Sequence, residues 1–168
     1  EAAAEGMAVY LFNRGGGTGR ENVTMTGSPM TPENKARIEA NLLRAFQNGA
    51  RAGSGPEMAD EAVVRAMLAV KANNIVYDGP SPQLVQMLLD LLNHRITPVM
   101  NSPNGTVGEA DITLMNNVAA TMVGRGDVYL NGARMKAADA LAREGLRPIQ
   151  PFGADNTALT STNSYTAA

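Results

Sequence analysis

The chain has 168 residues, of which 44% are hydrophobic, and this is enough to fill the core of one domain. It contains no cysteine and one histidine, which excludes a disulfide framework, thiol catalysis and zinc sites built from thiolates or a histidine cluster. Its 14 basic and 16 acidic residues are scattered and give a net charge of −2, so nucleic-acid binding is disfavoured.

The N-terminal part of the chain combines a short apolar run with a glycine-rich loop. Ala8–Phe12 is apolar and ends at the sequence Asn13-Arg-Gly-Gly-Gly-Thr-Gly19. A nucleotide-binding loop is disfavoured, because no glycine at position 20 completes the pattern Gly-x-Gly-x-x-Gly and no Lys-Ser/Thr pair follows. From the burial preference of tyrosine alone, Tyr10 is interpreted as a buried aromatic residue of a strand.

Three amphipathic helices are predicted next, each opened by a capping residue or a proline. They run from Thr31-Pro32 to about Asn48, over Pro56–Ala72, and from Ser81-Pro82 to Asn93-His94-Arg95. We expect their apolar stripes to form core rather than a cofactor site. His94 lies where a cation stabilises the end of a helix, so we assign it to capping or to the surface rather than to catalysis.

The most informative stretch, Asn101–Asp127, is a Pro/Gly loop that turns into an apolar helix. Glu109 and Asp111 are predicted in the first helical turn, where carboxylates meet free N–H groups and the positive end of the helix dipole. On the physics alone, the two acidic residues stabilise the helix start, although a glycine loop before a helix is also a common way to build a site. Asn116 and Asn117 interrupt the apolar face, and buried amides require hydrogen-bond partners.

A hairpin and a short helix follow this stretch. Val128–Leu130 and Ala133–Met135 are predicted strands, joined by Asn131-Gly132 in a type I′ turn. Lys136–Glu144 is predicted as a helix that Gly145 ends.

Several of these sequences recur together in a known superfamily. They are Gly105-Thr-Val-Gly108, Asp111-Ile-Thr-Leu, Gly124-Arg-Gly126, Asn131-Gly132 and Ala137–Pro148. In order and spacing the chain resembles the histidine and aromatic amino acid ammonia-lyase and aminomutase superfamily. The resemblance implies a mainly α-helical fold, in which residues 1–168 form part of the N-terminal active-site domain as a fragment or a processed chain. It also implies a lyase-like enzyme and a homotetramer whose active sites combine several subunits with the remaining segments of the same subunit.

In that family, an Ala-Ser-Gly sequence in the loop cyclises into an electrophilic 4-methylideneimidazole-5-one group that activates the substrate's amine. This chain has Glu109-Ala110 between Gly108 and Asp111, which is one residue fewer and lacks the serine. The resemblance therefore carries over the fold more strongly than the chemistry. We predict that this protein has no such cofactor and no metal.

The resemblance also implies site residues. Tyr10 matches the family's catalytic base on a similar glycine loop, so the predicted catalytic set is Tyr10, Glu109 and Asp111. The candidate substrate-binding residues are Arg14, a cation on that loop; Phe46, where the family has histidine; Asn117, where it has His/Tyr; and Ser161 or Asn163, near the family's asparagine that holds the prosthetic group's oxygen. Two alternatives stay open: Arg14 is simply solvated, or one of Asn116 and Asn117 is exposed.

Three functions are considered. The first is an enzyme without the prosthetic group that performs elimination, isomerisation, addition or cyclisation on a small organic substrate with a good leaving group. The second is a conventional ammonia-lyase or aminomutase, and the third is a noncatalytic scaffold subunit. The sequence shows no membrane-spanning run and no signal-peptide pattern at its first residues, so we expect a cytoplasmic protein without a membrane partner.

Overall fold

The structure is a computed structural model, and it describes residues 3–51, 53–57, 60–101 and 110–168. In these ranges the chain is mainly α-helical with a small sheet, as predicted. The helices are α1 Pro32–Asn48, α2 Glu61–Asn74, α3 Pro82–Asn93, α4 Ile112–Met122, α5 Ala137–Arg143, α6 Asp155–Thr160 and α7 Ser164–Ala167; the strands are β1 Ile96–Pro98, β2 Asp127–Leu130 and β3 Ala133–Lys136. None of the helices within these ranges is long and apolar enough to cross a lipid bilayer.

The predicted caps open α1 and α3. The Thr31 hydroxyl accepts a hydrogen bond from Asn34 N at 3.3 Å, and the Ser81 hydroxyl accepts one from Leu84 N at 3.2 Å. The prediction for the second helix was wrong at its start, because α2 begins at Glu61 rather than Pro56. The side chain of Asp60 caps this helix, accepting from Ala62 N at 2.9 Å.

The sheet contains the predicted hairpin and one strand that the sequence did not indicate. Leu130 pairs with Ala133, and the turn residues Asn131 and Gly132 have φ values of 53° and 78°, as a type I′ turn requires. β1 pairs antiparallel with β2 on the other side. It escaped prediction because it is three residues long, ends in proline and is buried throughout, so no alternating pattern is present.

The core lies between the helices and the inner face of this sheet. The predicted apolar stripes supply it, together with β1 and β2. Its largest fully buried apolar side chains are Phe46, Met67, Leu68, Ile75, Leu84, Leu88, Leu91, Ile96, Met100, Leu114 and Met115. His94 occupies the C-cap position of α3, and its Nδ1 lies 2.9 Å from Glu144 Oε2. The packing therefore fixes α4, which follows the Pro/Gly loop, against α1, α6 and the sheet.

One buried carboxylate joins the C-terminal segment to the start of α3. Asp155 is fully buried, and its Oδ1 accepts a hydrogen bond from Ser81 N at 2.6 Å. Its Oδ2 accepts from the Ser81 hydroxyl at 2.8 Å and from Phe152 N at 2.8 Å. A charged acceptor with three donors is a strong constraint, so α6 and the residues after it are held in a defined position.

Asp155→Asn tests this constraint. The amide keeps the size of the side chain but removes the charge and turns an NH₂ group toward N–H donors, so at least one buried donor loses its acceptor. We expect the free energy of unfolding to fall by about 2–4 kcal/mol. Urea denaturation measures this change. Asp90→Asn is the control: the Asp90 side chain accepts from Gln86 Nε2 at 2.8 Å on a partly exposed helix face, and its change should stay within about 0.5 kcal/mol. Equal stability of the two variants would contradict the role of Asp155.

Candidate functional site

Asp111 precedes α4 instead of lying in its first turn, which corrects the prediction from the sequence. It is the N-cap residue, with φ −81° and ψ 40°, and its side chain makes no capping hydrogen bond. Its Oδ2 accepts from Tyr165 N at 2.8 Å, while its own backbone N–H donates to Thr162 O at 2.7 Å. The carboxylate is therefore turned toward the C-terminal segment, and Asp111 joins the end of the Pro/Gly loop to that segment.

The second carboxylate oxygen of Asp111 takes no part in the hydrogen bonds to the C-terminal segment. Oδ1 is buried and has no hydrogen-bond partner among the described residues. Glu109, the other acidic residue predicted at the helix start, lies outside the described residues, as do Gly105 and Gly108. The placement of Glu109 in the first helical turn therefore stays a prediction.

Ser161 and Asn163 lie next to the start of α4. Both are exposed, and together with Ala110 they line an open cavity of about 550 Å³, which we call the tail cavity. Ser161 and Asn163 are the two residues predicted near the family's asparagine. The structure thus places both in the same cavity as Ala110, which precedes Asp111. The same cavity is also lined by Lys71 and Asp78.

Lys71 was missed by the sequence analysis. Its side chain is 1% exposed, and its Nζ donates to Asp78 Oδ2 at 3.0 Å. A lysine on an amphipathic helix is normally assigned to the solvated face. The available signal was its spacing, because Lys71 follows Leu68 and precedes Ile75 within the buried stripe of this segment.

Tyr10 does not lie in a strand, so the alternative of a buried strand aromatic was wrong. Residues 10–12 form a turn, and Tyr10 is 52% exposed. Its hydroxyl oxygen accepts a hydrogen bond from Gly17 N at 2.9 Å. At Gly16 an added Cβ would lie 2.5 Å from Leu11 Cδ2, so the Leu11 side chain would have to move to admit it. The tyrosine ring is therefore fixed above the glycine loop by a backbone contact.

Arg14 lies on the same loop but faces a different space. Its backbone bridges to Val23, and its side chain lines a cavity of about 250 Å³, the loop cavity, against Arg37 of α1 and Asn156 of α6. Asn156 Oδ1 is buried without a partner among the described residues. Arg14 therefore belongs to a cleft between the glycine loop, α1 and α6, rather than to a fully solvated surface.

Phe46 and Asn117 differ in what they contact. Phe46 is completely buried in the core and does not line the tail cavity or the loop cavity. Asn117 lines a third space, a cleft of about 400 Å³ that we call the polar cleft. Asn116 and Asn117 are 5% and 7% exposed, so the alternative that one of them is exposed was wrong. Their amides donate to Ala50 O at 2.9 Å and Thr113 O at 3.0 Å, respectively.

An ion network forms one wall of the polar cleft. Arg134 donates to both carboxylate oxygens of Glu57, at 2.7 and 3.2 Å, and to Asp127 Oδ2 at 2.8 Å. Lys136 Nζ donates to Asp127 Oδ1 at 2.7 Å. Hydrogen bonds from Lys136 and then Arg134 lower the pKa of Asp127, while those to Glu57 and Asp127 raise the pKa of Arg134. The four side chains thus neutralise one another in a fixed arrangement.

The candidate residues do not converge on one pocket in the described part of the chain. Tyr10 and Arg14 lie on the glycine loop, Asp111 with Ser161 and Asn163 at the start of α4, and Asn117 at the polar cleft. Each group is positioned by a different set of elements. Any single active site that uses all of them would have to draw on further residues.

The ion network predicts how stability depends on pH. Because the folded-state pKa of Asp127 lies below its ordinary value of 3.8, its contribution is present above about pH 4 and is lost as pH falls through the folded pKa. Asp127→Asn should therefore unfold at lower urea concentration than the wild type at pH 7, and the difference should shrink below about pH 4. Urea titrations at several pH values measure this. Asp139→Asn, which removes an exposed carboxylate from α5, is the matched control. If the stability difference between Asp127→Asn and the wild type grew toward low pH, the prediction would be wrong.

Comparisons with known proteins agree with the order and spacing of these elements. A family model described as aromatic amino acid lyase matches residues 1–168. A histidine ammonia-lyase from Geobacillus thermodenitrificans is 32% identical over 151 residues, which are 89% of this chain and 28% of that protein. Tyrosine 2,3-aminomutase from Chondromyces crocatus is 30% identical over 139 residues, covering 81% of this chain and 25% of that protein.

Two solved structures have the same fold over nearly the whole chain. The ergothioneine-degrading enzyme ergothionase from Treponema denticola matches with a TM-score of 0.78 and 29% identity, covering 98% of this chain and 31% of that one. Histidine ammonia-lyase from Trypanosoma cruzi matches with a TM-score of 0.68 and 20% identity, covering 98% and 30%, a likeness that shows the fold alone. The chain thus spans less than a third of each of these relatives and structures.

Proposed function

This chain belongs to the aromatic amino acid lyase family, and we propose that it is part of an enzyme that works without a methylidene-imidazolone group. The enzyme eliminates a good leaving group from a small organic substrate, with Tyr10 as the base. Isomerisation, addition or cyclisation on such a substrate would use the same groups.

The observation that carries this proposal is the sequence Gly108-Glu109-Ala110-Asp111. The family's cyclisation uses Ala-Ser-Gly at this place, and this chain has neither the serine nor the third residue. The family's asparagine is also replaced, by Ser161 in an ungapped match. Ala110 is followed directly by Asp111, whose N–H is engaged with Thr162 O at 2.7 Å. These residues do not fit the prosthetic group, so no step of the proposed reaction runs through it.

An elimination without an electrophile requires a particular type of substrate. The base takes a proton from the carbon next to the C–N carbon, that electron pair forms the C=C bond, and the amine leaves with the electrons of the C–N bond. A quaternary ammonium group suits this reaction, because it leaves as a neutral amine and carries no N–H proton that the base would remove first. Ergothionase, a structural neighbour at 29% identity, is described as degrading ergothioneine. We therefore propose quaternary ammonium amino acids as the first substrate class.

Three residues have proposed roles, and the described contacts of Tyr10 and Asp111 support two of these. Tyr10 is half exposed and held by Gly17 N, so its ring is available to a substrate in a fixed orientation. Glu109 is proposed to bind the cationic group, since a carboxylate attracts an ammonium but cannot polarise it as an electrophile does. Asp111 stays in the proposed site, and its bonds to the C-terminal segment favour a positioning role for it.

The second candidate is a conventional ammonia-lyase or aminomutase. The observation in its favour is that relatives with 30–32% identity are named histidine ammonia-lyase and tyrosine 2,3-aminomutase. It requires an electrophile to be formed in this protein despite the residues at 109 and 110.

We also propose that the enzyme is a cytoplasmic homotetramer. What supports the assembly is the set of large apolar side chains that remain exposed in the described part of the chain, among them Met30, Val76, Tyr77 and Phe152. Such side chains are candidates for contacts between subunits.

Peptide mass separates the two candidates. After digestion of the purified protein, the peptide that contains Gly108–Asp111 should have the full mass of its sequence, because no cyclisation has occurred. Mass spectrometry measures this directly. A peptide lighter by two water molecules would reject the proposal and support a conventional ammonia-lyase.

Tyr10→Phe and Glu109→Gln test the roles in catalysis. Tyr10→Phe keeps the ring but removes the proton acceptor, so turnover of a quaternary ammonium amino acid such as ergothioneine should fall by about 10²-fold or more. Glu109→Gln should abolish activity or raise KM while changing the free energy of unfolding by only about 0.3–1 kcal/mol. Release of the amine and of ammonia would be measured separately, with ergothioneine, histidine and tyrosine as substrates.

The control for the tyrosine variant is Tyr129→Phe, which makes the same chemical change in strand β2. It should retain wild-type turnover. Wild-type turnover by both Tyr10→Phe and Glu109→Gln would place the chemistry elsewhere in the protein. Ammonia release from histidine or tyrosine, with no turnover of ergothioneine, would favour the second candidate.

A further inference from the structure

The polar cleft has more positive than negative groups. Arg51, Arg125, Arg134 and Lys136 line it, against two carboxylates, Glu57 and Asp127. The ion network described above engages both carboxylates with Arg134 and Lys136. Neither Arg51 nor Arg125 forms an ion pair with any residue in the described ranges. Within those ranges, two guanidinium groups that line the cleft therefore have no carboxylate partner.

The segment that carries Arg51 is fixed to helix α4 and to the start of the Pro/Gly loop. Asn116 Nδ2 donates to Ala50 O at 2.9 Å, and Asn101 Nδ2 donates to Arg51 O at 2.5 Å. At Gly49 an added Cβ would lie 2.5 Å from Asn116 Oδ1, so the backbone approaches this side chain as closely as glycine allows. The Arg51 backbone is thus held in place by two side-chain amides.

Arg125 is held in a tight turn after α4. Gly124 and Gly126 on either side have φ values of 74° and 81°, which favour glycine, and Arg125 N donates to Ala120 O at 2.7 Å. Arg51 therefore lies on the segment that follows α1, and Arg125 in the glycine-flanked turn that follows α4.

The cleft also has a polar floor. Asn117 and Thr121 are 7% and 1% exposed, and they line the cleft from successive turns of α4. The Thr121 hydroxyl donates to Asn117 O at 3.1 Å, and Asn117 Nδ2 donates to Thr113 O at 3.0 Å. A volume of about 400 Å³ is in the range of small-molecule sites.

We propose that the polar cleft binds an oxyanion, a carboxylate or phosphate group of a small molecule, through the guanidinium groups of Arg51 and Arg125. Guanidinium groups form paired, charge-assisted hydrogen bonds with both kinds of oxyanion. Arg134 and Lys136 keep their carboxylate partners and shape the wall. The site does not depend on the elimination proposed above, because its residues are not those assigned to the reaction apart from Asn117 at its floor.

Binding of inorganic phosphate and of acetate to the full protein tests this site. Calorimetry or NMR titration at low chloride should show that Arg51→Gln and Arg125→Gln each weaken binding by about tenfold or more, and that the double variant loses it. Arg125→Lys should retain part of the affinity, because it keeps the charge. The matched control is Arg44→Gln, which removes an exposed cation from α1 outside the cleft and should bind as the wild type does.

The result that overturns the proposal is phosphate and acetate binding by the folded double variant with wild-type affinity, or an equal loss in Arg44→Gln. Circular dichroism confirms that each variant is folded. If a glutamine variant does not fold, Arg125→Lys tests the role of Arg125 in its place.

A second experiment identifies the source of the oxyanion once binding has been shown. Competition of phosphate with the substrate identifies the substrate's own carboxylate; phosphate binding without competition identifies a free anion. Retained phosphate binding in a protein with no turnover would reject only the proposed reaction.

Discussion

The buried carboxylate of Asp155 determines where α6 and the residues after it lie. Its three hydrogen bonds to Ser81 and Phe152 lock α6 to the start of α3. Because Ser81 also caps α3, a single polar cluster sets the position of a core helix and of the segment behind it. The residues that follow, Thr162 and Tyr165, then hold Asp111 at the start of α4. The position of Asp111 at the start of α4 therefore depends on a contact made at the start of α3.

Local chemistry allowed much of the fold to be predicted from the sequence. Thr31-Pro32 and Ser81-Pro82 carry their own start signals, and Asn131-Gly132 prescribes its turn, so these features do not depend on distant residues. β1 and the burial of Lys71 depend on what packs against them, and neither has a local signature. The direction of the Asp111 carboxylate has no local signature either. The helix dipole favours the N–H groups at the start of α4 as its partners, but the backbone of the C-terminal segment supplies the hydrogen bond. For Tyr10 the local pattern was misleading. Its apolar neighbours suggest a strand, but the chain forms a turn there, next to the glycine loop.

The candidate residues are distributed over separate cavities, and this indicates what an active site built from them would still need. The tail cavity, the loop cavity and the polar cleft are open spaces on the surface of the described residues, and none of them encloses a substrate by itself. An elimination that must exclude water needs further walls. In the homotetramer proposed above, neighbouring subunits would supply these walls, and the exposed apolar side chains support that proposal. The proposal then assigns this chain one wall of a shared site.

The bond between Asp111 and Tyr165 also has a consequence for the order of events in folding. It joins residues 54 positions apart, and the bonds between Ser81 and Asp155 join residues 74 positions apart. Contacts this distant close large loops, and folding becomes slower as more of the native contacts join distant parts of the chain. During synthesis on the ribosome, α1 to α5 can form while the start of α4 still lacks its partner. The carboxylate that precedes α4 therefore reaches its final environment only after Tyr165 has been added to the chain and has left the ribosome.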